Sequence, residues 1–489
     1  MNRSPRSWSP PTLLVIVAAS VAIGAVVLVV TWPMLSWPYP RWVETSAQWH
    51  QRFGWAGPIA GTIACWYATR FNPPHRIWNQ PDAARWGWPV VVRHLRLLGA
   101  WLLGAYIVAL APLTAVTAIR GGAGDPEALV MVSRVLAMVA AIALGYALGT
   151  LVASVVMVPV TAALLAGLNV LTVAGADTFA PVVPVLYLEP QLGQQESTPL
   201  VVFRTALFLL VAAAAAAVAA KTLLRRNRGE TSTVRARLSV VTLTALAPPV
   251  LIGIALLHQP ALFTVAPNTG KACRIAHDIT YCVHTADEPQ LDALVAAVDP
   301  IIARYGSPPE ALRGVWDQAL VLAGPPPPHA GIAVVPLTSR GTIDLAQSGI
   351  LESLTGAAQC PAGVRDPTTT AVQRDLGAFL THTTAPGGVF ANMTVPQVQD
   401  WIRRNHTTIA ACAVKPGELP QRPRVAPLPQ PPPEATPSPP SPSHRRAARP
   451  SPVAATPSPH QPDSTVHPGS PHRFLSAFAG DPQPPGFSS

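Results

Sequence analysis

The sequence has few charged residues, is poor in lysine, and lacks the short motifs of several enzyme classes. Only 12% of its 489 residues are charged, against about a quarter in an average soluble domain. No G-x-x-x-x-G-K-[ST] loop, H-E-x-x-H motif, G-x-S-x-G elbow or strand-following G-x-G-x-x-G pattern is present. These absences exclude a Walker-type ATPase and a zinc peptidase of that class. We therefore predict neither an enzyme nor a bound cofactor, and no nucleic-acid partner.

Long apolar runs are the main positive feature of the sequence. A helix needs roughly 20 mostly apolar residues to cross a lipid bilayer. We predict seven membrane spans, with the break between the fourth and the fifth near residues 152–156, and a kink at Pro248-Pro249 in the last. The spans lie near residues 12–32, 53–69, 97–119, 130–152, 155–176, 200–222 and 238–258.

Two of these spans have an alternative interpretation. The segment 53–69 is short and is bracketed by Arg52 and Arg70, so an interfacial or re-entrant segment is the alternative to a full crossing. The segment 12–32 has the basic start of a signal peptide. Its apolar run is too long for a usual signal peptide, and Trp32-Pro-Met-Leu does not resemble a small-residue cleavage site. A retained span is therefore favoured.

The positions of the basic residues predict the orientation in the membrane. With seven spans and a cytoplasmic N-terminus, the inside segments 1–11, 70–96 and 221–237 hold 13 basic residues. The short outside segments and the span ends next to them hold five. Basic residues are retained in the cytoplasm. We therefore predict a multi-pass protein of the cell membrane, with everything after about residue 260 outside the cell.

Three polar residues within the predicted spans are candidates for a functional role. Arg134 and Arg204 lie near outer span ends, where a side chain that reaches toward the interface would explain them. A path for a polar solute is the alternative. Asn169 lies deeper and is typical of a hydrogen bond between helices. No series of acidic residues crosses the membrane, which disfavours a proton-driven pump.

The region 266–415 has a different composition and is long enough for a domain with its own core. Residues 289–304, 370–382 and 394–413 show helical periodicity, and residues 331–337 read as a buried strand. We predict a small α+β domain outside the cell. The whole chain is then an α-helical polytopic membrane protein, with a transmembrane domain at 1–265 and this domain at its C-terminal side.

Four of the five cysteines lie in this region, and an even number in an oxidising compartment favours disulfides. Among three possible pairings we favour Cys273–Cys282 and Cys360–Cys412, because Cys273 and Cys282 flank a His-Asp turn between two short strands. A metal site with His277 and His284 is the alternative, although no cysteine pair has C-x2-C spacing. Cys65, in the second span, reads as a small buried apolar residue.

The segment 416–489 contains 22 prolines in 74 residues. Such a composition cannot bury enough apolar surface to offset chain entropy, so we predict a disordered, proline-rich tail. On the outside it could contact cell-wall polymer through its arginines. A passive tail is the simpler alternative.

The second predicted span has the pattern Gly57-Pro-Ile-Ala-Gly61-Thr-Ile-Ala64-Cys65-Trp66-Tyr-Ala68-Thr-Arg70 and follows a tryptophan-rich loop. Together with Cys282-Val283-His284, it resembles actinobacterial polytopic membrane proteins that are similar to ABC-2-type transporter permeases. The resemblance implies a permease-like subunit that depends on a separate cytoplasmic P-loop ATPase. The basic segments 70–96 and 221–237 would bind that ATPase.

Two other functions remain open from the sequence. The membrane part could anchor an outer domain that binds a wall polymer, a peptide or another protein, without transport. A membrane enzyme is a third hypothesis, since acid/base groups cluster within twelve residues. The residues of that cluster are His277, Asp278, His284, Asp287 and Glu288.

Overall fold

A computed structural model describes most of the chain before residue 421. The described residues are 10–72, 87–174, 176–186, 190–227, 240–258, 260–266, 270–306, 312–323, 331–341, 343–357, 360, 367–383, 387–415 and 418–420. All of them belong to one unit, Met1–Pro423. The predicted tail falls outside the described residues except for 418–420, and so do parts of both basic segments, namely 73–86 and 228–237.

Helices make up most of the described N-terminal part of the chain as far as residue 258. They are α1 Pro10–Thr31, α2 Trp42–Gln51, α3 Phe53–Phe71, α4 Gly87–Leu98, α5 Gly104–Ile119, α6 Ala128–Val152, α7 Met157–Ala174, α8 Ala176–Phe179, α9 Thr198–Asn227 and α10 Val240–His258. A π-helical turn at Gly99–Leu103 joins α4 to α5 without a break. The predicted interruption near 152–156 is confirmed, since α6 ends at Val152 and α7 begins at Met157.

Four described helical segments are long and apolar enough to cross a membrane. These are Thr12–Ser36, Gly87–Ile119, Ala128–Val152 and Thr198–Arg226. Two shorter apolar helices, Met157–Leu171 and Ala247–His258, accompany them. The structure is thus mostly helical, with four candidate membrane spans and a small sheet region. The number of seven crossings stays a prediction.

The two ends of the helix bundle differ in what they carry. At one end, the loop before α2 meets the α5–α6 loop, where the Trp42 amide donates to the Ala123 carbonyl (2.9 Å) and the Ala123 amide to the Pro40 carbonyl (3.0 Å). At the other end, Arg226 donates to the carbonyls of Asn72 (3.1 Å) and Leu151 (2.9 Å). We call the end with the α5–α6 loop the domain end and the end with Arg226 the basic end.

Glycines allow α3 and α6 to approach closely in the centre of the bundle. A Cβ atom on Gly145 would lie 2.0 Å from the Gly61 carbonyl oxygen, and one on Gly149 would lie 2.3 Å from that of Cys65. Any larger residue at these positions would force the two backbones apart. Small residues at helix contacts are the usual basis of close packing within membranes.

A separate hydrophobic core lies in the C-terminal part of the described chain. Its strands are β3 Lys271–Ala276, β4 Ile279–His284, β5 Gly314–Asp317 and β6 Ile332–Val335, and its helices are α11 Leu291–Tyr305, α12 Gln318–Ala323, α13 Asp344–Leu354, α14 Pro367–Leu380 and α15 Val395–Ala410. The four strands form one sheet in the order β3-β4-β5-β6, antiparallel between β3 and β4 and parallel elsewhere. Helix α11 makes the crossover from β4 to β5 that a parallel pair requires.

The β3–β4 hairpin and the helices α11, α14 and α15 lie within a few residues of the positions that the sequence predicts. Residues His277 and Asp278 form the turn between β3 and β4, both with positive φ. Cys273 and Cys282 are direct cross-strand partners with Cα atoms 4.2 Å apart, and the Cα atoms of Cys360 and Cys412 are 5.7 Å apart. Both favoured pairs therefore lie at disulfide distance. Cys65 is free and buried.

Two short strands connect the bundle to this domain at the domain end. Strand β1, Gln194–Glu196, precedes α9, and strand β2, Phe263–Val265, follows α10. They pair antiparallel with Glu196 opposite Phe263. The backbone position of Glu196 is thereby fixed by the segment that leads into the α+β domain.

Candidate functional site

Two buried arginines from different helices converge on one carboxylate at the domain end. Arg134 is in the second turn of α6, and Arg204 is in the second turn of α9. Their Nη atoms lie 3.2 Å and 3.3 Å from Oε2 of Glu196. All three side chains are at most 1% exposed. The sequence predicts that these two arginine side chains reach toward the membrane interface. In the structure both point into the protein instead.

Backbone carbonyls complete the surroundings of the two guanidinium groups. Arg134 donates to the Pro184 carbonyl (3.0 Å), and Arg204 donates to the Ala180 carbonyl. The segment after α8 thus covers the cluster and supplies hydrogen-bond acceptors, which the hydrocarbon core of a membrane lacks. The Nε atoms of both arginines are buried without a hydrogen-bond partner among the described residues.

His50 of α2 is the fourth member of the cluster. Its Nε2 lies 3.0 Å from Oε1 of Glu196. Burial lowers the pKa of His50 to about 4, with Glu196 opposing the shift. Burial would raise the pKa of Glu196, but Arg134, His50 and Arg204 together hold it well below its ordinary value. At neutral pH the cluster therefore combines two guanidinium cations, one carboxylate and a neutral imidazole.

A cavity of about 290 Å³ lies beside Glu196. The polar residues that line it come from both parts of the protein. Glu127 and Thr198 belong to the bundle, and His284 belongs to the α+β domain. The pKa of Glu127 is raised to about 7, first by burial and then by the nearby charge of Glu196. A pocket with apolar walls and a few convergent polar groups is the usual form of a binding site.

Asn169, the third polar candidate, is not part of this cluster. Its Nδ2 donates to the Gly54 carbonyl at 2.8 Å, which joins α7 to α3. The side chain borders a mainly apolar cavity of about 580 Å³ between these two helices.

A second charged group ties the α+β domain to the bundle. Arg41 places Nη2 2.6 Å from Oδ1 of Asp287 and Nη1 3.2 Å from the Leu337 carbonyl. Asp317 lies next to Asp287 and accepts from the amides of His284 (3.2 Å) and Ala319 (3.0 Å). Burial, followed by repulsion from Asp287, raises the pKa of Asp317 to about 7.

The structure separates the acid/base cluster suggested by the sequence. His277, Asp278 and Glu288 are exposed, whereas His284 and Asp287 are buried. His277 pairs with Asp299 at 3.1 Å, away from that buried pair. Among the described residues no group of three or more His, Cys, Asp or Glu side chains could hold a metal ion.

Sequence reasoning found Arg134 and Arg204 but not the residues that pair with them. Glu196 had a signal, since it is one of three acids in the base-free loop 176–199. His50, Arg41 and Asp317 had none, because no motif or spacing distinguishes any of them from the polar residues nearby. No known protein family, curated protein or solved structure matches the chain.

Proposed function

We propose that the protein is a permease-like subunit of an ABC-type export system that depends on a separate P-loop ATPase. The observation that supports it is the convergence of Arg134 and Arg204 on Glu196 within the helix bundle. Charges inside a membrane protein cost free energy, and they commonly mark a path for ions or polar solutes. The cavity beside Glu196 gives such a path an opening at the domain end.

The proposed orientation places the N-terminus in the cytoplasm and the α+β domain outside the cell. The distribution of arginines supports it. Arg70, Arg93, Arg96, Arg225 and Arg226 all belong to the basic end, and the described residues around them (70–72, 87–98, 146–157 and 218–227) include no acid. Retention of basic residues in the cytoplasm puts this end on the side where ATP is present.

The ATPase is expected to bind the basic segments 70–96 and 221–237. The test is to purify the tagged full-length protein from its native membrane and to identify ATP-hydrolysing proteins that elute with it. A P-loop ATPase should co-purify at a fixed ratio, and a variant with Arg225 and Arg226 changed to Gln should retain less of it. The proposal fails if no ATPase accompanies the protein, or if the substitutions leave its amount unchanged.

A non-transporting envelope protein is the second candidate. The separate core of the α+β domain and its two cysteine pairs favour it. Under this proposal, a fragment of residues 266–420 folds by itself and sediments with cell-wall polymer. A fragment that unfolds cooperatively but binds neither wall polymer nor an envelope protein would contradict this candidate.

A further inference from the structure

We propose that the exposed face of α4 that carries Trp88, Arg93 and Arg96 is a binding site for the phosphate headgroup of an anionic phospholipid. These residues, together with Pro89 and Val92, line a cleft of about 400 Å³ on the surface of the basic end. The proposal is independent of whether the protein transports a solute, and it leaves Arg70, Arg225 and Arg226 as the described arginines of the basic end that would contact the proposed ATPase.

The spacing brings the two guanidinium groups to the same side of the helix. Arg93 and Arg96 are three residues apart and are therefore neighbours on the helix surface, and Trp88 lines the same cleft. Each of the three side chains is exposed, Trp88 by 52%. Neither arginine forms a hydrogen bond or ion pair with any described residue.

A count of helical residues places Arg93 and Arg96 near the depth of the lipid headgroups. Twenty residues, enough to cross the hydrocarbon core, extend back from Ile119 to Ala100, which leaves Arg96 just beyond it. The same count along α6, from Ala128, reaches Ala147. His94 of α4 contacts the hydroxyl of Tyr146 at 2.8 Å, so both helices place residues 93–96 at the edge of the core.

Charge complementarity identifies the occupant. Two guanidinium groups can each donate paired hydrogen bonds to phosphate oxygens. None of the described residues around the site (70–72, 87–98, 146–157 and 218–227) is acidic. Trp88 lies 12 residues, about 18 Å along the helix, before Ala100, so its ring borders the cleft on the side away from the lipid chains. A phospholipid with a net negative charge is held at the membrane surface by its chains, which keeps its phosphate near Arg93 and Arg96, whereas a free anion is attracted by charge alone.

The test uses the full-length protein in detergent and native mass spectrometry during titration with phosphatidylglycerol or phosphatidylcholine. The variant R93Q/R96Q should bind phosphatidylglycerol about tenfold more weakly than the unaltered protein. The matched control R70Q/R225Q removes the same charge from the same end and should change the affinity by less than about twofold. Phosphatidylcholine should bind weakly to all three proteins.

Other results would overturn the proposal. An equal loss in both variants would indicate general surface charge, and no loss in either would indicate that the cleft binds no lipid. Displacement of phosphatidylglycerol by inorganic phosphate at equal concentration would assign the site to a free anion. Unchanged lipid binding with loss of a co-purifying protein would assign the face to a protein partner.

Discussion

Glu196 is the residue on which the buried cluster depends. Its carboxylate is the acidic partner of both Arg134 and Arg204 among the described residues. Removing one partner of a buried ion pair costs about 3–5 kcal/mol, because the remaining charge stays buried without compensation. A neutral residue at position 196 would leave the charges of both Arg134 and Arg204 buried without this carboxylate.

We therefore expect Glu196→Gln to lower the free energy of unfolding by at least about 3 kcal/mol. Glu352→Gln, which changes an exposed glutamate in the same way, is the control and should have little effect. Thermal unfolding in detergent measures both. The double variant E196Q/R204Q should be less destabilised than the sum of its single changes, and strict additivity would contradict the ion-pair assignment.

Asp317 gives the folded protein a pH dependence of known sign. Its pKa is raised to about 7 from an ordinary value of 3.8, so folding favours the protonated acid. The stability that this preference contributes is present in full below pH 4 and is lost as the pH rises to about 7. Asp287 and Arg41 are the charged groups beside it.

The variant Asp317→Asn keeps a neutral group at all pH values. We expect the melting temperature of the unaltered protein, measured relative to that of this variant, to fall between pH 5 and pH 8, because His50 and Glu127 titrate alike in both proteins. Asp400→Asn, at an exposed position, is the control and should keep the original profile. A parallel fall in the Asp317 variant would show that another group causes the dependence.

The partners of the two buried arginines could not be predicted from the sequence. Arg134 and Arg204 stand out in the sequence because a charge in an apolar run is rare. Their pairing with Glu196 depends on how α6, α9 and β1 come together in the fold. A hydropathy profile of the sequence does not carry that information. Their burial could not be predicted for the same reason.

At the scale of elements, α3 and α6 depend on the absence of side chains at their contact. Gly145→Ala places a methyl group against the Gly61 backbone, and we expect a loss of about 1–3 kcal/mol, as for other overpacked positions. Gly167→Ala on α7 meets no atom within 4 Å and is the control. Thermal unfolding of both variants should separate them clearly, and equal stability would argue against the close helix contact.

The two cysteine pairs close loops of different length. Cys273 and Cys282 are 9 residues apart, and Cys360 and Cys412 are 52 residues apart. Because a longer loop loses more entropy on closure, C360S/C412S should cost about 1.5 kcal/mol more stability than C273S/C282S. Denaturant unfolding of the full-length variants tests this order. The reverse order would show that loop entropy does not dominate.

Some elements were predictable and others were not. The β3–β4 hairpin and the break between α6 and α7 followed from local turn residues and from the length of the apolar run. Helix α2 and the start of α4 at Gly87 could not be predicted from an apolar run, since both are polar on one face. Arg93 and Arg96 end the apolar run on which the prediction of a span from 97 to 119 was based, although the helix continues through them.

At the scale of the whole molecule, orientation can be tested with the lysines. The chain has lysine only at positions 221, 271 and 415. Lys221 belongs to the basic end, whereas Lys271 begins the sheet of the α+β domain. A membrane-impermeant amine reagent added to intact cells should modify Lys271 and Lys415 but not Lys221, as read by peptide mass spectrometry. Lysed cells, in which all three should react, are the control, and labelling of Lys221 alone would invert the orientation.

The pairing of β1 with β2 has a practical consequence for work on this protein. A reporter fused directly after His258 would delete Phe263–Val265, the strand that lies alongside Gln194–Glu196. Such a fusion would contain a bundle in which the backbone of Glu196 has lost the strand that pairs with it. If this fusion failed to insert into the membrane, the failure could be mistaken for evidence on topology. Fusion points placed after Ala266 leave that support intact.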